Sequence, residues 1–233
     1  MTTNNDTTNY NRPIRSFVKR QGRRTQGQSR ALQELLPNYG VDQLDGYYDY
    51  EVIFQRQAKT VLEIGFGMGQ SLLTQAANYP DINYLGIEVH LPGVGSLLNG
   101  MQEQGLENIR VSGEDAVVVL RDHIATASLD GIQIFFPDPW HKKRHHKRRL
   151  IQPKFVEQLA QRLKPDGFIH LATDWENYAE QMLAVLNGEA QLKNTSTSAG
   201  YVPRPDSRPL TKFEQRGHRL GHGVWDLMFE KVI

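Results

Sequence analysis

The chain has 233 residues, a net charge of +1, 39% hydrophobic residues and no cysteine. This length and apolar content fit a single α/β domain with a sizeable core and argue against global disorder. The missing cysteines exclude disulfides, Cys-ligated zinc, iron–sulfur clusters and any thiolate attack on a ring.

Residues 1–30 carry seven Lys/Arg against one Asp, a local charge of +6, in a Thr-, Asn- and Gln-rich context. They read as a flexible basic segment ahead of one domain over residues 31–233. The first ten residues lack the charged and apolar regions of a signal peptide, and no apolar run approaches the ~18 residues of a membrane span, so the expected location is cytoplasmic. A short helix is expected over 29–36, with Ser29 as N-cap and Pro37 marking its end.

From residue 60 onward, apolar runs alternate with helical patterns. Strands are predicted at 60–64, 83–89, 109–112, 131–136, 168–173 and 223–232. Helices are predicted at 70–79, 94–104, 115–123 and 175–186. A further helix follows Pro153, where Ile151, Phe155, Leu159 and Leu163 recur in steps of four, and residues 164–167 read as a turn. Strands separated by helix-length patterns predict an α/β fold, with a mostly parallel sheet and helices on both faces.

The first strand runs into Glu63-Ile-Gly65-Phe-Gly67-Met-Gly69, a strand-to-helix turn whose glycines let the backbone approach a ligand. Its Gly-x-Gly-x-Gly spacing differs from the dinucleotide fingerprint, and Glu63 lies two residues before the first glycine. Glu88 ends the second strand, where a carboxylate accepts both ribose hydroxyls of a nucleoside. Asp115 fits two roles, acceptor from an exocyclic amine or backbone donor, and helix N-cap. Three acids disfavour a pyrophosphate and suit a cationic ligand, which points to S-adenosylmethionine over NAD.

The fourth strand leads into Pro137-Asp138-Pro139-Trp140 and then nine consecutive Lys, Arg or His residues, 141–149, with six fixed positive charges. The two basic segments leave −11 on the rest of the chain, as in a protein that grips a polyanion locally. Asp138 is placed to accept from a base's ring N–H or amine, and Trp140 to stack on it, a contact of roughly 1–3 kcal/mol. The cations that follow fit phosphates, which position without reading sequence. His141, His145 and His146 sit among too many cations to read as a metal site, so no metal is expected.

The motifs 61–69, 86–90 with 92–95, 135–144, 172–175 and 211–214 occur in this order and together resemble the bacterial tRNA (guanine-N7-)-methyltransferase family. Segments 15–18 and 21–22 extend the resemblance towards the N-terminus. It implies a Rossmann-like class I methyltransferase with a seven-stranded sheet. It also implies S-adenosylmethionine as cofactor, tRNA as partner and a guanosine, usually at position 46 in tRNA numbering, as target. On the matching positions, Glu63, Gly65, Gly67, Gly69, Glu88, Asp115 and Asp138 would bind the cofactor, with Asp138 also in the active site. Lys142, Asp174, Thr211, Lys212, Phe213 and Glu214 would bind substrate. Arg144, His145, His146, Lys147, Arg148 and Arg149 would contact RNA. Neither a membrane nor an obligate protein partner is implied.

Guanine N7 has a free in-plane lone pair and needs no general base, so catalysis reduces to alignment and to stabilising the purine as it becomes cationic. Two other readings stand beside this one: methylation of an exocyclic amine, and an RNA-binding protein with a vestigial cofactor pocket. The N-terminal segment reads as a tRNA clamp that orders on binding or as a solubilising tail.

Overall fold

Strands β1 (Lys59–Ile64), β2 (Ile82–Ile87), β3 (Ile109–Ser112), β4 (Leu129–Phe135), β5 (Leu163–Thr173), β6 (Leu192–Asn194) and β7 (Trp225–Lys231) form one sheet in the order β3-β2-β1-β4-β5-β7-β6. This is a computed structural model, and it describes residues 16, 22–198, 200–211, 214–215 and 223–232. Strands β1 to β5 pair in parallel, and β7 runs antiparallel to both β5 and β6.

Parallel strands need crossovers, and here they are helices on both faces. Among the described residues the α-helices are α1 (Gln26–Glu34), α2 (Leu36–Tyr39), α3 (Tyr50–Phe54), α4 (Gln70–Asn78), α5 (Leu91–Gln104), α6 (Ala116–Asp122), α7 (Pro153–Arg162) and α8 (Glu176–Asn187), of which α4 to α7 are the crossovers between parallel strands. Alternation along β1 supplies two cores. Val61 packs with Leu72, Leu97 and Leu98 of α4 and α5, while Leu62 and Ile64 pack with Val119, Leu159 and Met182 of α6, α7 and α8. Each such side chain contributes about 1.5–3 kcal/mol by leaving water. No helix among the described residues is long and apolar enough to cross a membrane.

The chain steps outward from β1 to β3 and then returns to place β4 beside β1. Ligands in such sheets bind beyond the carboxyl ends of the strands at this reversal. The same edge carries the glycine turn after β1, Glu88 after β2, Asp115 after β3, Asp138 after β4 and Asp174 after β5.

Several expectations shift at the boundaries. The first helix begins earlier, because Thr25 accepts from the Gln28 backbone N–H at 3.2 Å while Gln28 reaches back to the Thr25 N–H at 2.9 Å. Ser29 therefore lies inside α1, and so does the boundary placed after residue 30; residues 1–15 lie outside the described residues. Pro37 lies in the first turn of α2, where its missing N–H has no helical partner to lose. The turn at 164–167 is a bulge within β5, which pairs Leu163 with Leu129, turns at Asp166 (φ 63°) and resumes with Phe168 opposite Gly131.

Candidate cofactor cavity and its basic mouth

The glycine turn has backbone angles that only glycine adopts without strain: φ is 78° at Gly65, 59° at Gly67 and 81° at Gly69. At Gly69 a Cβ would come within 2.8 Å of Leu97, so the turn also sets how closely α5 approaches α4. At Gly65 and Gly67 a Cβ would meet nothing within 4 Å, so the missing side chains leave a cradle.

A cavity of about 210 Å³ opens over this cradle, bordered by Gly65, Glu88, Asp115, Phe136 and Asp138. Glu88 is held in place from below: its Oε2 accepts from the Gly67 N–H and its Oε1 from the His90 N–H, each at 2.9 Å. Each oxygen keeps a further lone pair for a ligand hydroxyl. Asp115 performs both roles open to it in the sequence. Its Oδ1 accepts from the Val117 N–H at 3.0 Å as the N-cap of α6, and its carboxylate faces the cavity. A cavity with three carboxylates, a glycine cradle and apolar walls from Ile64, Ile87 and Ile134 fits a cationic nucleoside ligand such as S-adenosylmethionine.

Glu63 is not brought to this cavity. Its side chain points to the opposite face of the sheet, 2% exposed, where it accepts from Gln75 Nε2 at 3.3 Å. Burial pushes its carboxyl up to about 8. Between the ordinary value of 4.5 and 8, the unfolded chain ionises here while the folded chain does not, so folded stability falls with rising pH across that window and levels off above it. Glu63→Gln should therefore gain unfolding free energy over the wild type as pH rises from 5 to 8, reaching on the order of several kcal/mol and read as a raised Tm. Its cofactor affinity, read by calorimetry, should stay within about tenfold, or roughly 1.4 kcal/mol. A larger loss of affinity would show that Glu63 reaches the ligand.

The segment after β4 is bent sharply at both ends. Phe136 has φ 51° and Trp140 has φ 47°, conformations that cost bulky residues about 1–3 kcal/mol each and persist only when their surroundings enforce them. Three contacts do so. The Phe136 N–H donates to the Ala172 carbonyl at 2.8 Å, Trp140 Nε1 donates to the Ser16 carbonyl at 3.2 Å, and Arg149 Nε donates to the Pro139 carbonyl at 2.8 Å. Asp138 is thereby presented, exposed, at the cavity mouth.

The cationic run winds into a 3-10 helix, Lys143–Arg148, too short for sequence periodicity to reveal. Arg144 and Lys147 are exposed, and His145, His146 and Arg148 half-buried; the Arg148 guanidinium lies 4.8 Å from the centre of the Trp140 ring. Arg149 corrects the sequence reading. It is 2% exposed, and besides Pro139 it donates to Gln181 Oε1 at 2.6 Å and Asn177 Oδ1 at 3.0 Å, with a contact to His146 Nε2 at 3.1 Å. Its donors are occupied by the protein, so it braces the Asp138 segment and is not presented to RNA. Lys142 is exposed, one residue before the 3-10 helix, and Asp174 is half-buried, one residue past the carboxyl end of β5.

Behind the mouth lies a cluster with no sequence signature. Arg208, 1% exposed, donates to both carboxylate oxygens of Glu214 at 2.7 and 2.8 Å and to both of Asp226 at 2.7 and 2.9 Å. His170 contacts Asp226 at 2.8 Å. The Arg208 guanidinium lies 5.9 Å from the Phe135 ring centre and 5.5 Å from that of Phe136. Glu214, expected at the substrate, is thus turned inward, and Thr211 accepts its backbone N–H at 3.2 Å. Lys212 and Phe213 lie outside the described residues. Partners six and eighteen positions from Arg208 leave no local pattern to read. Trp175, which the sequence places only at the head of a helix, is 37% exposed, with its ring 4.3 Å from that of His141.

A family model described as a putative methyltransferase matches residues 57–227. Among similar proteins, a tRNA (guanine-N(7)-)-methyltransferase of Pseudoalteromonas atlantica is 58% identical over 223 residues, covering 96% of this chain and 93% of that one. One of Thiobacillus denitrificans is 62% identical over 218 residues, covering 94% and 95%. Among solved structures, the 16S rRNA methyltransferase KamB superposes with a TM-score of 0.59 at 14% identity, covering 82% of this chain and 97% of that one. A 16S rRNA (adenine(1408)-N(1))-methyltransferase from Catenulisporales acidiphilia gives 0.55 at 15% identity, covering 82% and 96%. At those identities the structural likeness carries the fold alone, that of the class I methyltransferases.

Proposed function

This chain belongs to the tRNA (guanine-N7-)-methyltransferase family, and on that premise we propose that its target is the guanosine at position 46 of the tRNA variable loop. Its reaction is transfer of the methyl group of S-adenosylmethionine to N7 of a guanine in tRNA. The observation that carries our reading of the site is the cavity at the strand-order reversal, with Glu88, Asp115 and Asp138 on its wall and the 143–148 cations at its mouth.

Bound there, the cofactor supplies a methyl group on a positively charged sulfur. Glu88 takes the ribose hydroxyls on the lone pairs left free by Gly67 and His90. Asp115 takes the adenine amine while capping α6, which fixes the carboxylate in place. The glycine cradle lets the backbone approach closely. Asp138 faces the incoming guanine and offsets the charge that the purine ring acquires. No proton is abstracted before attack, because N7 presents a lone pair. The cations of the 3-10 helix hold the flanking phosphates, which fixes the base without reading its sequence. A tRNA substrate also supports a cytoplasmic place of action.

The test is to incubate unmodified tRNA with the protein and cofactor, digest it to nucleosides and separate N7-methylguanosine from N2-methylguanosine and N6-methyladenosine by mass spectrometry. N7-methylguanosine at position 46 is the expected product. Methyl on an exocyclic amine would replace the reading, and N7-methylguanosine elsewhere in the tRNA would keep the chemistry and overturn the position.

A further inference from the structure

Beside the cofactor cavity lies a second groove of about 480 Å³, which shares Ser16, Asp115 and Leu150 with it. Its floor is rigid. Helices α6 and α7 pack together there, and Gln158 of α7 donates to the Val117 carbonyl of α6 at 3.4 Å. Its rim carries Arg121, Lys147, Arg148 and Lys154, and Asp115 is the one acid among its described lining residues.

Of these cations, Arg121 sits in the last turn of α6, where the helix macrodipole favours it, whereas Lys154 stands against its local electrostatics. Lys154 is exposed in the first turn of α7, where the helix macrodipole disfavours a cation by about 0.3–1 kcal/mol. It makes no ion pair among the described residues. Arg121 pairs with its neighbour Asp122 at 2.6 Å, but both are well exposed, so the pair is weak and readily exchanged. Next to the groove, His145 is held below the ordinary histidine range by partial burial and then by Arg144, Arg148, Lys142 and Lys147. A positive potential of this kind, on a floor of two helices, is relieved by a polyanion.

We propose that this groove is a second phosphate track for the tRNA backbone, in which Arg121 and Lys154 hold phosphodiesters beyond those met by residues 144–148. The groove adjoins the cofactor cavity through Ser16, Asp115 and Leu150, and its rim takes up Lys147 and Arg148 of the 3-10 helix, so a strand held by those cations continues along it. This rests on the tRNA reading, and the test separates the two.

Binding of unmodified tRNA to the full-length protein is measured by filter retention across a salt series for the wild type, Lys154→Ala, Arg121→Ala, the double variant and Lys193→Ala. Lys193 is an exposed cation on the edge strand β6 and serves as control. Each groove variant should weaken tRNA binding several-fold and flatten the log–log salt slope by about 0.7–0.9, and the double variant by about twice that. The KM for tRNA should rise in parallel, with turnover at saturating tRNA and calorimetric cofactor affinity retained. Slopes equal to those of the wild type and Lys193→Ala would overturn the track. A wild type that binds tRNA with the expected slope but forms no N7-methylguanosine would overturn the functional reading and leave the track standing.

Discussion

Asp138→Ala is expected to lower kcat by about 10²–10³, the loss typical of removing one preorganised group that faces developing charge. The loss should fall mainly on kcat, because the carboxylate is worth most once the guanine ring is turning cationic. In this structure Asp138 is exposed, and it gains its effect when the base covers it and displaces water. The protein has already spent backbone strain on the segment: Phe136 and Trp140 sit at positive φ on either side of it, and Arg149 holds the intervening Pro139 carbonyl. Asp138→Asn keeps the shape and one acceptor but not the charge, so it should retain most of the loss. Single-turnover methylation at saturating tRNA, with calorimetry for the cofactor, separates chemistry from binding. An unchanged kcat in Asp138→Ala, or a loss confined to KM, would remove the electrostatic role.

The fold was legible because its signals are local. Alternating Val61, Leu62 and Ile64 name a strand buried on both faces, and a glycine turn followed by a ten-residue helical pattern names the first crossover. The cavity acids Glu88, Asp115 and Asp138 were legible for the same reason, since each closes a strand and all strand ends of a parallel run meet at one edge. What the sequence could not convey is direction. Glu63 and Glu88 both lie at strand ends, yet alternation turns Glu63 to the opposite face while Glu88, one step past β2, reaches the cavity. Arg149 closes a run of exposed cations and cannot be told from them by composition. Only the fold reveals that Pro139, Asn177 and Gln181 converge on it. Glu214 likewise sits in a motif that the resemblance assigns to substrate, and the partner that turns it inward is six residues away in irregular chain.

That partner sets the largest expected effect on stability. Arg208→Met should cost about 3–5 kcal/mol, because it removes the guanidinium that bridges the buried Glu214 and Asp226 carboxylates. Burial by itself would raise the Asp226 carboxyl, but contacts with His170 and Arg208 overcome this and hold it below the ordinary carboxylate range. That stabilisation is present above the unfolded carboxylate value and is lost as pH falls through the lowered one, so the gap between wild type and variant should narrow in acid. The cluster is not necessary for folding in principle: a buried ion group replaced whole by apolar side chains is often neutral or better. Arg208→Met combined with Glu214→Leu and Asp226→Leu should therefore recover much of the lost Tm. Turnover should not return with it. Arg208 ties Glu214 to Asp226 of β7 and packs against Phe135 and Phe136, so it holds the backbone from which Asp138 projects. Thermal unfolding at pH 3 and pH 8, with kcat measured at neutral pH well below each Tm, separates the two roles. A triple variant with both Tm and kcat restored would mean that the cluster only fills space, whereas a restored Tm with low kcat makes Arg208 a positioning residue for methyl transfer.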